Sequence, residues 1–295
     1  MKPNSLEIIN LELLKYPRTT HLEGSRLQAG DEGDNQLPYT SLAGRYIVVE
    51  EKLDGGNAGL SFSAGGELLL QSRGHYLTGG GRERQFNLYK QWAVAHEHRL
   101  INVLDDRYVM FGEWMHKKHA MFYNTLPHYF LEFDIWDRAK QCFLSTPARQ
   151  QLLYGLPVLA VPVLYAGIAP HKLSDLIALL QPSLARHTGW QQVFEQQVQR
   201  ERLELAKAWQ QTDRSELAEG LYIKVEEAGQ TVARYKWVRP DFVQAILESA
   251  VHHAEQPFIA NQLATGVDLF APSLTHAWPT TSQVTIPVKP AGRTS

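Results

Sequence analysis

The stretch Tyr46-Ile47-Val48-Val49-Glu50-Glu51-Lys52-Leu53-Asp54-Gly55-Gly56-Asn57 decides how this chain is read. Tyr46 to Val49 is a short β-branched and aromatic run of the kind that forms a buried strand, and Gly55-Gly56 turns the chain after it. A lysine therefore stands at the end of a buried strand, beside a carboxylate and a glycine turn. Burial makes an ammonium group costly and neighbouring cations make it costlier, so such a lysine can become a neutral amine and a nucleophile. Taken alone, Lys52-Leu53-Asp54-Gly55 is equally an ordinary strand closed by an Asp-Gly turn.

Working outward, Ala58 to Phe62 reads as the next strand, Ala64-Gly65-Gly66-Glu67 as a hairpin turn and Leu68-Leu69-Leu70 as the returning strand. Gly79-Gly80-Gly81 marks a loop, after which the period changes. Phe86, Tyr89, Trp92, Ala93, His96, Leu100 and Leu104 fall on one helical face. Further strands are expected over 108–113, 129–136 and 158–165, helices over 172–181 and 190–211, and a closing pair of strands over 220–225 and 231–238. Pro240-Asp241 has the signature of a helix start. Strands in hairpin-like spacing with helices between them predict an α+β fold, with antiparallel sheets flanked by helices.

Composition narrows the function. The chain has 295 residues, 44% hydrophobic and 20% charged, with 29 Lys and Arg against 31 Asp and Glu and a net charge of −2. A uniformly basic nucleic-acid packaging protein is excluded, whereas a local basic groove is not. Cys142 is the one cysteine, which excludes an internal disulfide or a Cys-based zinc site. His116 and His119 have helix-like spacing, yet nothing completes a zinc set around them. No apolar run reaches the roughly 20 residues of a membrane span, and the N-terminus lacks a signal-peptide pattern, so a cytoplasmic location and no membrane partner are expected.

The other informative segments place charge on or beside strands. They are Ser72-Arg73-Gly74, Phe111-Gly112-Glu113-Trp114, Phe130-Leu131-Glu132-Phe133-Asp134-Ile135, Glu219-Gly220-Leu221-Tyr222-Ile223-Lys224 and Arg234-Tyr235-Lys236-Trp237. Half-buried charges are costly unless paired or bound to something charged. Four cations (Arg73, Lys224, Arg234, Lys236) and two carboxylates (Glu113, Glu219) beside Lys52 suit a metal-bound polyphosphate better than a core. Between 73 and 99 the basic residues Arg73, Arg82, Arg84, Lys90 and Arg99 outnumber Glu83 and Glu97, which favours a polynucleotide partner.

In order and spacing these segments, over roughly 45–240, resemble the covalent lysyl-nucleotidyltransferase superfamily of ATP-dependent RNA ligases, DNA ligases and messenger-RNA capping enzymes. Asn57, five residues after Lys52, resembles the RNA-repair ligase branch, as does the segment around Lys118-His119. Two positions depart: Asp54 stands where a phage-type RNA ligase has histidine, and Arg234 where a lysine is usual. The resemblance implies a nucleotidyltransferase (ligase adenylation) domain over 1–240, with a short helical C-terminal extension over 241–270 and a flexible tail over 271–295. It implies an ATP-dependent RNA ligase joining a 5′-phosphate end to an RNA 3′-hydroxyl through lysyl-AMP and adenylylated-polynucleotide intermediates. A minimal DNA ligase and a catalytically silent RNA-binding protein on the same fold are the alternatives. The short remainder after Arg239, too short for the OB-fold that DNA ligases carry, and Asn57 disfavour the first; the intact Lys52, Glu113, Glu219 and Lys236 disfavour the second.

By the same resemblance Lys52 is the catalytic nucleophile. ATP would be bound by Glu51, Lys52, Asn57, Arg73, Glu113, Phe133, Lys224 and Lys236, with Phe133 stacked on adenine and Glu113 on the ribose. Lys224 and Lys236 would hold the α-phosphate and depress the pKa of Lys52. Glu219 would hold magnesium or manganese. Asp54, Arg82, Arg84, His119 and Arg234 would contact nicked or broken RNA ends. The chain carries no kinase or phosphatase motif, and whether a separate end-healing kinase or phosphatase is a partner is left open by the sequence.

Overall fold

A computed structural model describes residues 12–27, 36–242 and 257–279 of the protein. Eleven strands make one sheet: β1 (Thr20–His21), β2 (Tyr46–Lys52), β3 (Gly56–Phe62), β4 (Leu68–Ser72), β5 (Tyr108–Trp114), β6 (Phe130–Asp137), β7 (Cys142–Leu144), β8 (Leu159–Ala160), β9 (Val163–Ile168), β10 (Gly220–Glu227) and β11 (Gln230–Val238). Five α-helices accompany them among the described residues: α1 (Asn87–Leu104), α2 (Thr146–Leu153), α3 (Leu173–Ile177), α4 (Trp190–Arg200) and α5 (Leu205–Gln210). Along the sheet the order is β4-β3-β5-β6-β7-β11-β10-β2-β9, all antiparallel, with β1 parallel to β11 and β8 parallel to β6. This is the α+β architecture read from the sequence.

The order forces a shape. Strands β2 and β3 lie six positions apart along the sheet, about 29 Å if it were flat. Yet only Leu53, Asp54 and Gly55 separate them in the chain, a reach of at most about 15 Å. The sheet must therefore curl until its two halves meet at the Lys52 turn. Three-residue β7 is the narrow hinge between the halves, pairing β6 on one side and β11 on the other.

Each half buries one apolar face. Ile47 and Val49 of β2, Leu221, Ile223 and Val225 of β10 and Trp237 of β11 pack with Leu176 of α3 and Leu179. Ala58, Leu60 and Phe62 of β3 and Met110 and Trp114 of β5 pack on α1 through Tyr89, Trp92, Ala93, Leu100 and Leu104. All seven apolar-face residues expected for this helix are buried. The other face of β2 therefore points inward with a different chemistry, described below.

Several expectations need correction. The strand expected over 158–165 is two strands, because Pro162 interrupts it. β8 pairs β6 and β9 pairs β2, so the break lets the segment bridge the two halves. The long helix expected over 190–211 ends at Arg200 and resumes at Leu205, with Arg202 between them in the left-handed region at φ 54°. The helix expected over 172–181 is only Leu173–Ile177, and β7 and α2 were not anticipated. Of the expected helical extension, residues 243–256 lie outside the described residues, while 257–270 form no helix. Of the expected tail, 271–279 is described and tied to the domain at Trp278, whose indole donates to the Ala160 carbonyl at 2.8 Å; the rest lies outside the described residues.

Candidate active site

Strand register builds the site. Lys52, Glu50 and Val48 of β2 stand opposite Gly220, Tyr222 and Lys224 of β10, and Tyr222 and Lys224 stand opposite Lys236 and Arg234 of β11. Directly opposed residues share a face, so Glu50, Lys52, Tyr222, Lys224, Arg234 and Lys236 all project to the side away from the apolar core. A cleft of about 390 Å³ opens there, between the halves of the curled sheet. Its walls include Glu51, Lys52, Asp54, Asn57, Arg73, Glu113, His119, Phe133, Glu219 and Lys236, ten of the residues singled out in the sequence.

Lys52 Nζ lies 2.7 Å from Glu219 Oε1, with the lysine side chain 22% exposed and that of Glu219 2%. Gly220 makes this approach feasible: a Cβ there would sit 2.0 Å from the Trp237 carbonyl oxygen, so only glycine lets β10 begin against β11 beside Glu219. Glu113 reaches the turn from β5, accepting the Gly55 N–H at 3.0 Å. Burial and the neighbouring carboxylates push Glu113 up to about 8, against the opposing pull of Lys52. Burial likewise pushes Glu219 up to about 7, despite Lys52. For Lys52 itself burial acts downward, but Glu219, Glu113 and Asp54 outweigh it and raise the group above its ordinary value. The expected depression of Lys52 is thus reversed: its neighbours are carboxylates.

Lys224 shows why. It is fully buried and does not line the cleft. Its Nζ lies 2.9 Å from Glu50 Oε2 and 3.3 Å from Asp134 Oδ1, and it donates to the Phe133 carbonyl. Arg234, expected on RNA, is likewise turned inward, 3.5 Å from Asp134 Oδ2 and with its guanidinium 3.7 Å from the centre of the Phe143 ring. Arg149 of α2 completes the set, donating to both Glu132 oxygens at 2.7 and 2.8 Å and to Glu50 at 2.8 Å. Three cations (Arg149, Lys224, Arg234) thus face three carboxylates (Glu50, Glu132, Asp134), a neutral buried network. Tyr16 and Tyr222 join it to the cleft wall: Tyr16 donates to Asp134, and the two hydroxyls are 2.6 Å apart. Sequence reasoning missed Arg149, Glu50, Tyr16 and Tyr222; the alternation that puts Glu50 on the face of Lys52 was the available signal.

The remaining predicted residues divide by their partners. Asp54 is bound into the turn: its Oδ2 accepts the N–H groups of Ala120 and Met121, both at 2.7 Å. Glu51 is buried, its carboxylate accepting Ser183 Oγ at 2.5 Å and the Leu184 N–H at 3.1 Å, and burial pushes it up to about 7. Phe133 lines the cleft half-buried, with Tyr16 edge-on at 5.1 Å. Arg73 is exposed at the rim. Arg84 is exposed outside the cleft, and the side chain of Arg82 lies outside the described residues. His119 lies beside Gly56, whereas His116 is enclosed by the rings of Tyr129 and Phe258 at 4.9 and 5.0 Å, where burial lowers it to about 4.

Among the described residues no group of three or more His, Cys, Asp or Glu side chains could by itself hold a metal ion. Glu219 Oε2 is nevertheless buried without a hydrogen-bond partner, as is Asn57 Oδ1, and both residues line the cleft. One free carboxylate oxygen in a carboxylate-rich cleft fits a hard divalent cation whose other ligands are water and substrate phosphates. No described helix is long and apolar enough to cross a membrane.

A family model described as RNA ligase matches residues 45–238, from the start of β2 to the end of β11. Among solved structures, Naegleria gruberi RNA ligase with PPi is similar at 20% identity and a TM-score of 0.47, over 77% of this chain and 58% of that one. A mutant of the same RNA ligase with ATP and Mn is similar at 18% identity and a TM-score of 0.47, over 77% and 56%. The chain thus spans just over half the length of the RNA ligases it matches. No curated protein matches it. With the family model covering well over half of the chain and enclosing Lys52, Glu113, Glu219 and Lys236, the protein belongs to the RNA ligase family.

Proposed function

We propose that the protein is an ATP-dependent RNA ligase that joins a 5′-phosphate end to an RNA 3′-hydroxyl. The observation that carries this reading is Lys52 Nζ at the cleft floor, 2.7 Å from a buried carboxylate that keeps one oxygen free. In the first step Nζ attacks the α-phosphorus of ATP; the bond from that phosphorus to the bridging oxygen breaks, pyrophosphate leaves and lysyl-AMP forms. The ammonium must first shed a proton, and Glu219 Oε1, 2.7 Å away, is within reach to take it. A divalent cation held by Glu219 Oε2 would neutralise the leaving pyrophosphate and offset the negative charge that keeps Lys52 protonated. Reaction of this type rests on alignment and charge neutralisation.

Phe133 supplies a ring for the adenine, Glu113 an acceptor for the ribose, and Lys236 a cation for the phosphates. AMP then passes to the 5′-phosphate of the polynucleotide, and the 3′-hydroxyl displaces it to form the phosphodiester. Arg73 and His119 at the cleft, Arg84 outside it, and Arg82 are the proposed contacts to the RNA ends. Lys224 and Arg234, paired with Glu50 and Asp134, would instead hold the cleft wall.

Two assays test this. Each labelled nucleoside triphosphate is incubated with the protein and magnesium; covalent label from ATP is expected, and none from any of the four contradicts the reading. Matched nicks are then sealed with ribose or deoxyribose at the 3′ end, because the 2′-hydroxyl is what distinguishes RNA from DNA at a site. Faster sealing of the ribose end is expected, and equal rates would refute the RNA preference alone.

A further inference from the structure

The family match ends at residue 238, yet the chain returns to the site afterwards. Residues 259–264 run as an extended strap along the irregular segment 115–126. The Lys118 N–H donates to the Ile259 carbonyl at 2.8 Å, Gln262 donates to Tyr123 at 2.9 Å, Leu126 to Gln262 at 3.0 Å and Ala264 to Leu126 at 2.8 Å. Asn261 is the centre of the strap and is 1% exposed. Its Oδ1 accepts the Tyr123 N–H at 2.9 Å and its Nδ2 donates to the Met115 carbonyl at 2.6 Å. Its main chain is equally occupied, donating to His116 at 2.9 Å and accepting from Tyr129 Oη at 2.7 Å.

Segment 115–126 is what the nucleophilic turn rests on. Ala120 and Met121 donate to the Asp54 carboxylate, and the Asp54 N–H donates to Tyr123 Oη at 2.9 Å. Met115 closes the other side, its Sδ so near that a Cβ on Gly55 would fall 2.7 Å from it. The two residues that the Asn261 side chain grips, Met115 and Tyr123, are both in contact with the Asp54-Gly55 turn. A segment without helix or strand has no ladder to satisfy its backbone groups or fix its course, and Asn261 supplies both functions from outside the family region.

We propose that Asn261 is a positioning residue for the nucleophilic turn, so that adenylylation of Lys52 depends on the strap 259–264. This rests on the reading of Lys52 as the nucleophile. Asn261 acts at two removes, through Met115 and Tyr123 onto Asp54 and Gly55, and touches no substrate. A small displacement of the turn lowers the rate of attack while leaving the groups that bind the nucleotide in place.

Single-turnover labelling of the full chain with radioactive ATP and magnesium separates the cases, because it reads a rate constant and an amplitude. For Asn261→Ala the rate constant at saturating ATP should fall about tenfold, with full amplitude and with half-saturating ATP within about twofold of wild type. Asn261→Ser keeps a small polar side chain without placing a charge against the Met115 carbonyl, and should show a smaller fall of about threefold; it decides the matter if the alanine variant does not fold. A wild-type rate constant, including one with reduced amplitude from partial unfolding, overturns the role of Asn261 alone. Absence of label on the wild-type protein overturns the reading of Lys52 and this role with it.

Discussion

Two clusters of charge lie side by side on the same curled sheet and behave differently. Behind Phe133, three carboxylates meet three cations in a charge-balanced network of ion pairs. In the cleft, Lys52 and Lys236 face Glu113, Glu219 and Asp54, and burial drives two of those carboxyls to about 8 and about 7. The first arrangement balances its own charge; the second sets three carboxylates against two lysines and opens onto the cleft. Balance, more than the presence of charge, separates structural ion pairs from a binding site.

The largest expected effect breaks the balanced side. Arg149→Met removes the cation that holds both Glu132 and Glu50, leaving Glu132 unpaired and Glu50 to Lys224 alone, and should cost about 3–5 kcal/mol in urea unfolding. A loss below about 1 kcal/mol would show that the network is not what holds the two halves together. Glu219→Ala should do the opposite: removing an unbalanced buried carboxylate leaves stability unchanged or raised, while Lys52 labelling slows and needs more magnesium. Full activity with an unchanged magnesium requirement would make Glu219 structural.

A pH series sharpens the contrast. Glu113 and Glu219 titrate higher in the folded state than their ordinary value of 4.5, so the folded protein holds protons that the unfolded chain has released. Their contribution to stability therefore falls as pH rises from about 4.5 through the folded values of about 7 and about 8. The ligand-free Tm should decline from pH 6 to pH 8.5 more steeply in the wild type than in Glu113→Gln; parallel curves would remove Glu113 from the account. The smallest change is Arg234→Lys, which keeps the charge near Asp134 but loses the plane over Phe143, and should cost about 1 kcal/mol of stability. A cost above about 3 kcal/mol would instead mean that the ion pair itself was broken.

Legibility in the sequence followed the range of the interactions. The strand ending at Lys52 and the helix carrying Tyr89, Trp92 and Leu100 were readable because local periodicity and burial agree. The cleft residues were readable because each motif keeps its charged residue at a strand end. Lys224 was misplaced because charge alone does not name a partner, and its carboxylate Glu50 is 174 residues away. Arg149 sits in a helix with no motif around it, 99 residues from the same Glu50. Asn261 lies in an extended strap with no period at all, and only the fold brings it to the Lys52 turn.

The central claim is that Lys52 carries the nucleotide. Wild-type protein and Lys52→Ala are incubated with α-labelled ATP and magnesium, denatured and resolved, with circular dichroism confirming that both are folded. The account predicts label on the wild type and none on Lys52→Ala, whose fold is retained because the lysine side chain is partly exposed at the end of its strand. Equal covalent label on a folded Lys52→Ala protein would contradict it.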